Sequence, residues 1–152
     1  MIPAGQKEVF AEFGHAMNLA QALDQAIVNA LIHFHLMPEI DARLARDDIP
    51  MEPITLLFDK YIEQQFQQTL GNLIRAFLKA TKIPDDLQFK LGYAKGRRDF
   101  LAHHFFRLRA PMFGSAEGRD ALILELKKDQ TLFLDMGMIL MSLTKDPAPN
   151  NT

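Results

Sequence analysis

The stretch QKEVFAEFGHAMNLAQALDQAIVNALIHFHLM, Gln6 to Met37, decides the fold. Phe10, Phe13, Met17, Leu23, Ile27, Leu31 and Phe34 recur in it mostly at spacings of three or four residues, the period of one face of an α-helix. A strand would need strict alternation between turn signals, which is absent. Pro38 is expected to end the helix, because proline has no N–H and pushes the residue before it out of helical conformation. A helix of this length with one apolar face is stable only when that face is covered, so the rest of the chain must supply partners.

Reading outward, the same period returns after a polar connection containing Asp47, Asp48 and Pro50. A second helix is predicted from Pro53 to about Thr81, with Leu57, Phe58, Tyr61, Phe66, Leu70, Leu73 and Phe77 inward, proline being harmless in a first turn. Pro84-Asp85-Asp86 opens a third, since carboxylates favour the positive end of the helix dipole; it should run to about Arg109, closed by Ala110-Pro111 and Gly114. Ser115 is the expected N-cap of a fourth, which carries Leu122, Leu126, Leu132, Phe133, Met136, Ile139, Leu140 and Leu143. Four long helices with short connections predict an all-α antiparallel bundle, one helical domain over residues 1–145, with a flexible C-terminal tail at 146–152 rich in proline and asparagine.

Among 152 residues, 48% are hydrophobic and 24% charged, which permits an ordinary buried core and excludes disorder for most of the chain. The absence of cysteine removes disulfides, thiolate nucleophiles and cysteine zinc sites, and suits a reducing cytoplasm, the expected location. No apolar run reaches the length of a membrane span and no leader pattern stands at the N-terminus, so no membrane association is expected. A net charge of −2 gives no overall attraction to nucleic acid, so any such partner must be held by a local patch.

One such patch exists. Between Lys90 and Arg109 the third helix carries Lys90, Lys95, Arg97, Arg98, Arg107 and Arg109 against a single acid, Asp99, together with His103 and His104. On a helix, Asp99 and His103 lie about 40° apart, so the carboxylate can orient the imidazole, and Arg97 and His104 lie about 20° apart. Arg98 and His103 are about 140° apart in projection, within reach of a bent guanidinium. Histidine can move a proton at a ribose hydroxyl while arginine stabilises a five-coordinate phosphate, and no metal is needed for that.

The segment Arg98-Asp99-Phe100-Leu101-Ala102-His103 resembles the Arg-x4–6-His motif of HEPN domains, small helical bundles with that motif on a late helix. The resemblance implies a metal-independent endoribonuclease (RNase), active as a homodimer in which two motifs form one composite site, of the kind found in toxin-antitoxin pairs, phage defence or RNA processing. It implies Arg98 on the phosphate, His103 as acid and base, and Asp99 as the supporting polar residue, where asparagine is commoner. Lys95, Arg97, His104 and Arg107 are the expected substrate-binding residues around them. The doubled histidine leaves open which ring belongs to the site.

The competing expectation is a non-catalytic interaction module, such as a toxin-neutralising partner or a transcriptional regulator, using the same basic helix as an interface with a protein partner. No cofactor or metal is expected. His33 and His35 point about 200° apart on a helix and cannot chelate one ion together, so they read as structural. Glu12 and His15 stand alone, without the repeated Glu-x-x-His of a di-iron bundle. Asp24 reads as the margin of the apolar stripe, Gln64, Gln65, Gln67 and Gln68 as a solvated face, and the eight methionines as core filler. Phosphate-loop, dinucleotide-binding and serine-hydrolase motifs are missing.

Overall fold

The computed structural model describes residues 1–145, and the expected tail at 146–152 lies outside the described residues. The described chain is all-helical, without a strand. Its elements are α1 (Ala4–Leu31), a π-helical turn (Ile32–Leu36), α2 (Met37–Ala45), α3 (Ile54–Phe66), α4 (Leu70–Ala80), α5 (Asp85–His103), α6 (Phe105–Arg109), a 3-10 turn (Ala110–Gly114) and α7 (Ala116–Leu143). No helix among the described residues is long and apolar enough to cross a membrane. Two compact units divide the chain: Met1–Leu23 with Asp86–Gly137, and Asp24–Asp85 with the chain from Met138.

Three expected boundaries are corrected. Pro38 does not end the first helix, which continues through the π-turn into α2. The missing proline N–H and the bulk of its ring are absorbed because the preceding turn is widened, with the Met37 N–H donating to the Ile32 carbonyl five residues back. α2 closes further on, where Asp47 adopts φ 56° and the amides of Asp47 and Asp48 donate to the carbonyls of Leu44 and Arg43. That is a Schellman closure, and aspartate is among the residues that tolerate its left-handed position.

The second expected helix is two, α3 and α4, because Thr69 leaves helical conformation and its Oγ1 accepts from the Asn72 N–H at 3.2 Å. A side-chain cap at a threonine starts a new helix as effectively as one before a long apolar run. The third is also two, with His104 at φ −130° separating α5 from α6. The hydrogen-bond ladder nevertheless carries on through it, His104 N–H to the Phe100 carbonyl and Leu108 N–H to the His104 carbonyl. Ser115 caps α7 as expected, its Oγ accepting from the Gly118 N–H at 3.0 Å.

In the first unit the buried positions are Val9, Ala16 and Ala20 of α1, Leu87, Leu91, Ala94 and Leu101 of α5, Phe105, and Leu122, Leu126, Phe133 and Met136 of α7. Phe10, expected inside, is instead 42% exposed. It joins an aromatic cluster in which Phe106 meets Phe10, Phe13 and Phe113, and Phe13 also stacks on Phe105 at 5.5 Å between centroids. Each aromatic contact of this kind adds about 0.5–1.5 kcal/mol beyond its buried area. The buried Gln130 amide adds a polar tie from α7 to α1, donating to the Glu12 carbonyl and carboxylate.

The second unit buries Ile27, Val28, Leu31, Leu36, Ile40, Leu70, Leu73, Ile74, Phe77 and Leu140. α3 contributes no buried residue, although the periodicity places Leu57, Phe58, Tyr61 and Phe66 inward. The break at Thr69 lets α4 present its own stripe without carrying α3 in register, so Leu57 and Tyr61 are half-buried and Phe66 is exposed.

Two glycines of α7 are expected to respond oppositely to alanine. A Cβ on Gly118 would lie 2.1 Å from the Met112 carbonyl oxygen, whereas one on Gly137 meets nothing within 4 Å. Urea unfolding should show Gly118→Ala destabilised by about 1–3 kcal/mol and Gly137→Ala stabilised by about 0.4–1 kcal/mol through a less flexible unfolded chain.

Candidate functional site

α5 begins after Pro84 and runs without a breaker to His103, so its charged residues occupy fixed helical positions. The basic cluster of the sequence divides into two groups with different surroundings. In the first, the Arg97 guanidinium makes two bonds of 2.7 Å to the Asp129 carboxylate and one of 3.0 Å to Glu125. Arg109 binds the same Glu125 at 2.8 and 2.9 Å. Both guanidinium carbons lie over the Phe100 ring, at 4.8 and 4.9 Å from its centroid, a cation–π arrangement that holds the two cations close despite their repulsion.

The Asp129 side chain is only 5% exposed, and a carboxylate at such depth persists only when paired and hydrogen-bonded. The bonds it donates to Asp129 hold the Arg97 guanidinium firmly charged, against the opposing effect of burial. Burial alone would push the Glu125 carboxyl up, but the bonds from Arg109 and Arg97 outweigh it and hold it below the ordinary carboxylate range. The Nε and Nη2 donors of Arg97 are therefore committed to α7.

The second group lies on other faces. Asp99 accepts from Lys95 at 2.6 Å and from Arg98 at 3.3 Å; burial is the largest single influence and raises its carboxyl, but the bonds and charges of these two cations together bring it below its ordinary value. The expected orientation of His103 by Asp99 is not made, since among the described residues the carboxylate bonds only to Lys95 and Arg98. The His103 and His104 rings are both exposed and lie 6.3 Å apart. Arg107 donates to Nδ1 of His104 at 2.8 Å. Because arginine can only donate, Nδ1 is the accepting nitrogen and the proton of the neutral ring sits on Nε2.

The structure thus brings Arg107 to His104, and Lys95 and Arg98 to Asp99, while drawing Arg97 away from both. The α5–α6 break at His104 sets the two histidines at a bend rather than along a straight helix. Sequence reading missed Glu125 and Asp129 as the partners of the arginines. A signal was present: Leu122, Leu126, Asp129 and Phe133 share one helical stripe, and a carboxylate within an apolar stripe demands a cation.

No protein-family model, no curated protein and no solved structure matches the chain.

Stability should follow the ionisation of Glu125. Its folded pKa is depressed, so its contribution is fully present above its ordinary value of 4.5 and is lost as pH falls through the lower folded value. The stability difference between the intact chain and Glu125→Gln, measured by urea unfolding, is expected to be constant from pH 7 to about 5 and to shrink steadily toward pH 3.

Proposed function

We propose that this chain is a HEPN-like antiparallel helical bundle that cleaves RNA without a metal, as a homodimer with a composite arginine–histidine site. The observation that carries this is the exposed group at the α5–α6 bend. His103, His104 and Arg107 stand there in solvent, with Arg98 five residues before His103, while Arg97 and Arg109 are withdrawn into the α7 ion cluster.

In this mechanism one histidine takes the proton of a ribose 2′-hydroxyl, the oxygen attacks the adjacent phosphorus, and the 5′-oxygen leaves with a proton from a second imidazole. A homodimer supplies the imidazoles from two chains. Arg98 and Arg107 stabilise the charge on the five-coordinate phosphate, Lys95 adds local positive potential, and Asp99 positions Arg98. Arg97 acts by holding α5 on α7. His103 and His104 divide the acid and base roles between the two chains; the ring that acts as acid is the imidazolium, and for His104 that form gives up the Arg107 bond at Nδ1.

A second proposal, a non-catalytic module that neutralises or regulates a protein partner, is favoured by one other feature. Phe89 and Tyr93 stand one turn apart on α5, 76% and 56% exposed, and aromatic side chains are enriched at protein interfaces.

Incubation of a mixed RNA pool in chelator distinguishes the two. The intact chain is expected to cut, with His103→Ala or His104→Ala lowering the rate about 10²-fold or more and Arg98→Ala lowering it comparably at unchanged helicity. Equal inactivity of the intact chain and all three variants would remove the nuclease proposal and leave the partner-binding module.

A further inference from the structure

The second unit contains a cavity of about 400 Å³, within the range of small-molecule sites. His35, Glu39 and Arg43 line it from the π-turn and α2, and Leu57, Lys60 and Tyr61 line it from α3. Every lining residue belongs to this unit, and none comes from α5 or α6.

The polar groups are organised around His35. Its Nδ1 is 3.0 Å from the Tyr61 hydroxyl and its Nε2 is 4.0 Å from Glu39, so one imidazole bridges a phenol and a carboxylate on two different helices. The π-turn makes this placement: one extra residue before α2 rotates the downstream helix by about 100° relative to α1. Burial, and then the nearby Glu39, raise the pKa of the Tyr61 hydroxyl, so it remains a proton donor at neutral pH.

Two cations complete the wall. Arg43 binds Asp48 through Nε at 3.2 Å, which leaves its two Nη groups for another acceptor. Lys60 binds Glu52 at 2.8 Å through one of its three donors. Both ion pairs are at the surface, where such pairs contribute about 0–1 kcal/mol and give way readily to a better acceptor. Leu57 and the Tyr61 ring supply apolar area, and Glu39, already next to His35, is the one carboxylate on the wall among the described residues.

We propose that this cavity binds a small organic anion, its apolar body against Leu57 and the Tyr61 ring and its carboxylate or phosphate held by Arg43 and Lys60. Tyr61 donates to the remaining oxygen, its own oxygen accepting from the Nδ1–H of His35. The binding is independent of RNA cleavage, since the two sites share no residue.

The test is an NMR titration of the full ¹⁵N-labelled chain with benzoate, phenyl phosphate, uncharged benzamide and inorganic phosphate. Benzoate, phenyl phosphate or both are expected to give saturable shifts confined to the amides of 32–43 and 54–65, and the preferred one identifies the head group. Benzamide and inorganic phosphate should each bind at least about tenfold more weakly, lacking one half of the recognition. Arg43→Gln and Lys60→Gln should each weaken binding about tenfold, the loss of one charge-assisted bond, with unchanged circular dichroism. Absence of saturable shifts with both organic anions, shifts mapping elsewhere, equal binding of benzamide or inorganic phosphate, or full binding by both variants would overturn the proposal.

Discussion

A carboxylate cannot be carried into a helix–helix contact without a cation to meet it, and Asp129 is carried there by the apolar stripe of α7. Arg97 answers it with a bidentate pair, and Glu125 one turn earlier recruits Arg97 and Arg109 together over the Phe100 ring. Because these bonds fix both the rotation and the register of α5 against α7, they also fix where the rest of the basic helix points. Arg98, His103 and Arg107 occupy helical positions turned away from Arg97, and the two histidines fall at the bend that precedes buried Phe105.

A comparable constraint governs the second unit. Pro38 lies inside a continuous helical stretch, where its missing donor and its ring would ordinarily force a break. The widened turn at 32–36 removes the conflict and, in doing so, aims His35 at Tyr61. A local accommodation of backbone sterics thereby creates the polar wall of a cavity, the same relation between helix irregularity and binding geometry that π-turns show generally.

Helical class was legible at once from the three- and four-residue spacing in Gln6–Met37, and the α7 cap from Ser115, because both depend on local sequence alone. The breaks at Thr69 and His104 were not. Thr69 lies in a polar glutamine run without proline, and its capping role shows only once Asn72 presents an amide to it. His104 departs from helical φ with no breaker beside it, the kink arising where α5 meets the aromatic cluster of Phe105 and Phe106. Of the basic patch, the residue types were legible and their allegiances were not. Arg97 and Arg98 are neighbours of identical chemistry, and it is the carboxylates 28 and 32 residues further on that make Arg97 an anchor. The cavity around His35 was invisible because a regular helix, the basis for reading His33 and His35 as structural, places that ring differently from the π-turn.

The measurement that reaches the centre of this account is a double-mutant cycle on Arg97→Met and Asp129→Leu by urea unfolding at pH 7. Arg97→Met strands the buried Asp129 carboxylate and should lose about 2 kcal/mol or more, Asp129→Leu leaves Arg97 its bond to Glu125 and should lose less, and the double variant should recover a large part of the Arg97→Met loss, giving a coupling above about 1 kcal/mol. Additive single losses, with coupling within about 0.3 kcal/mol of zero, would contradict the anchoring of α5 to α7 and return Arg97 to the residues that can hold a phosphate.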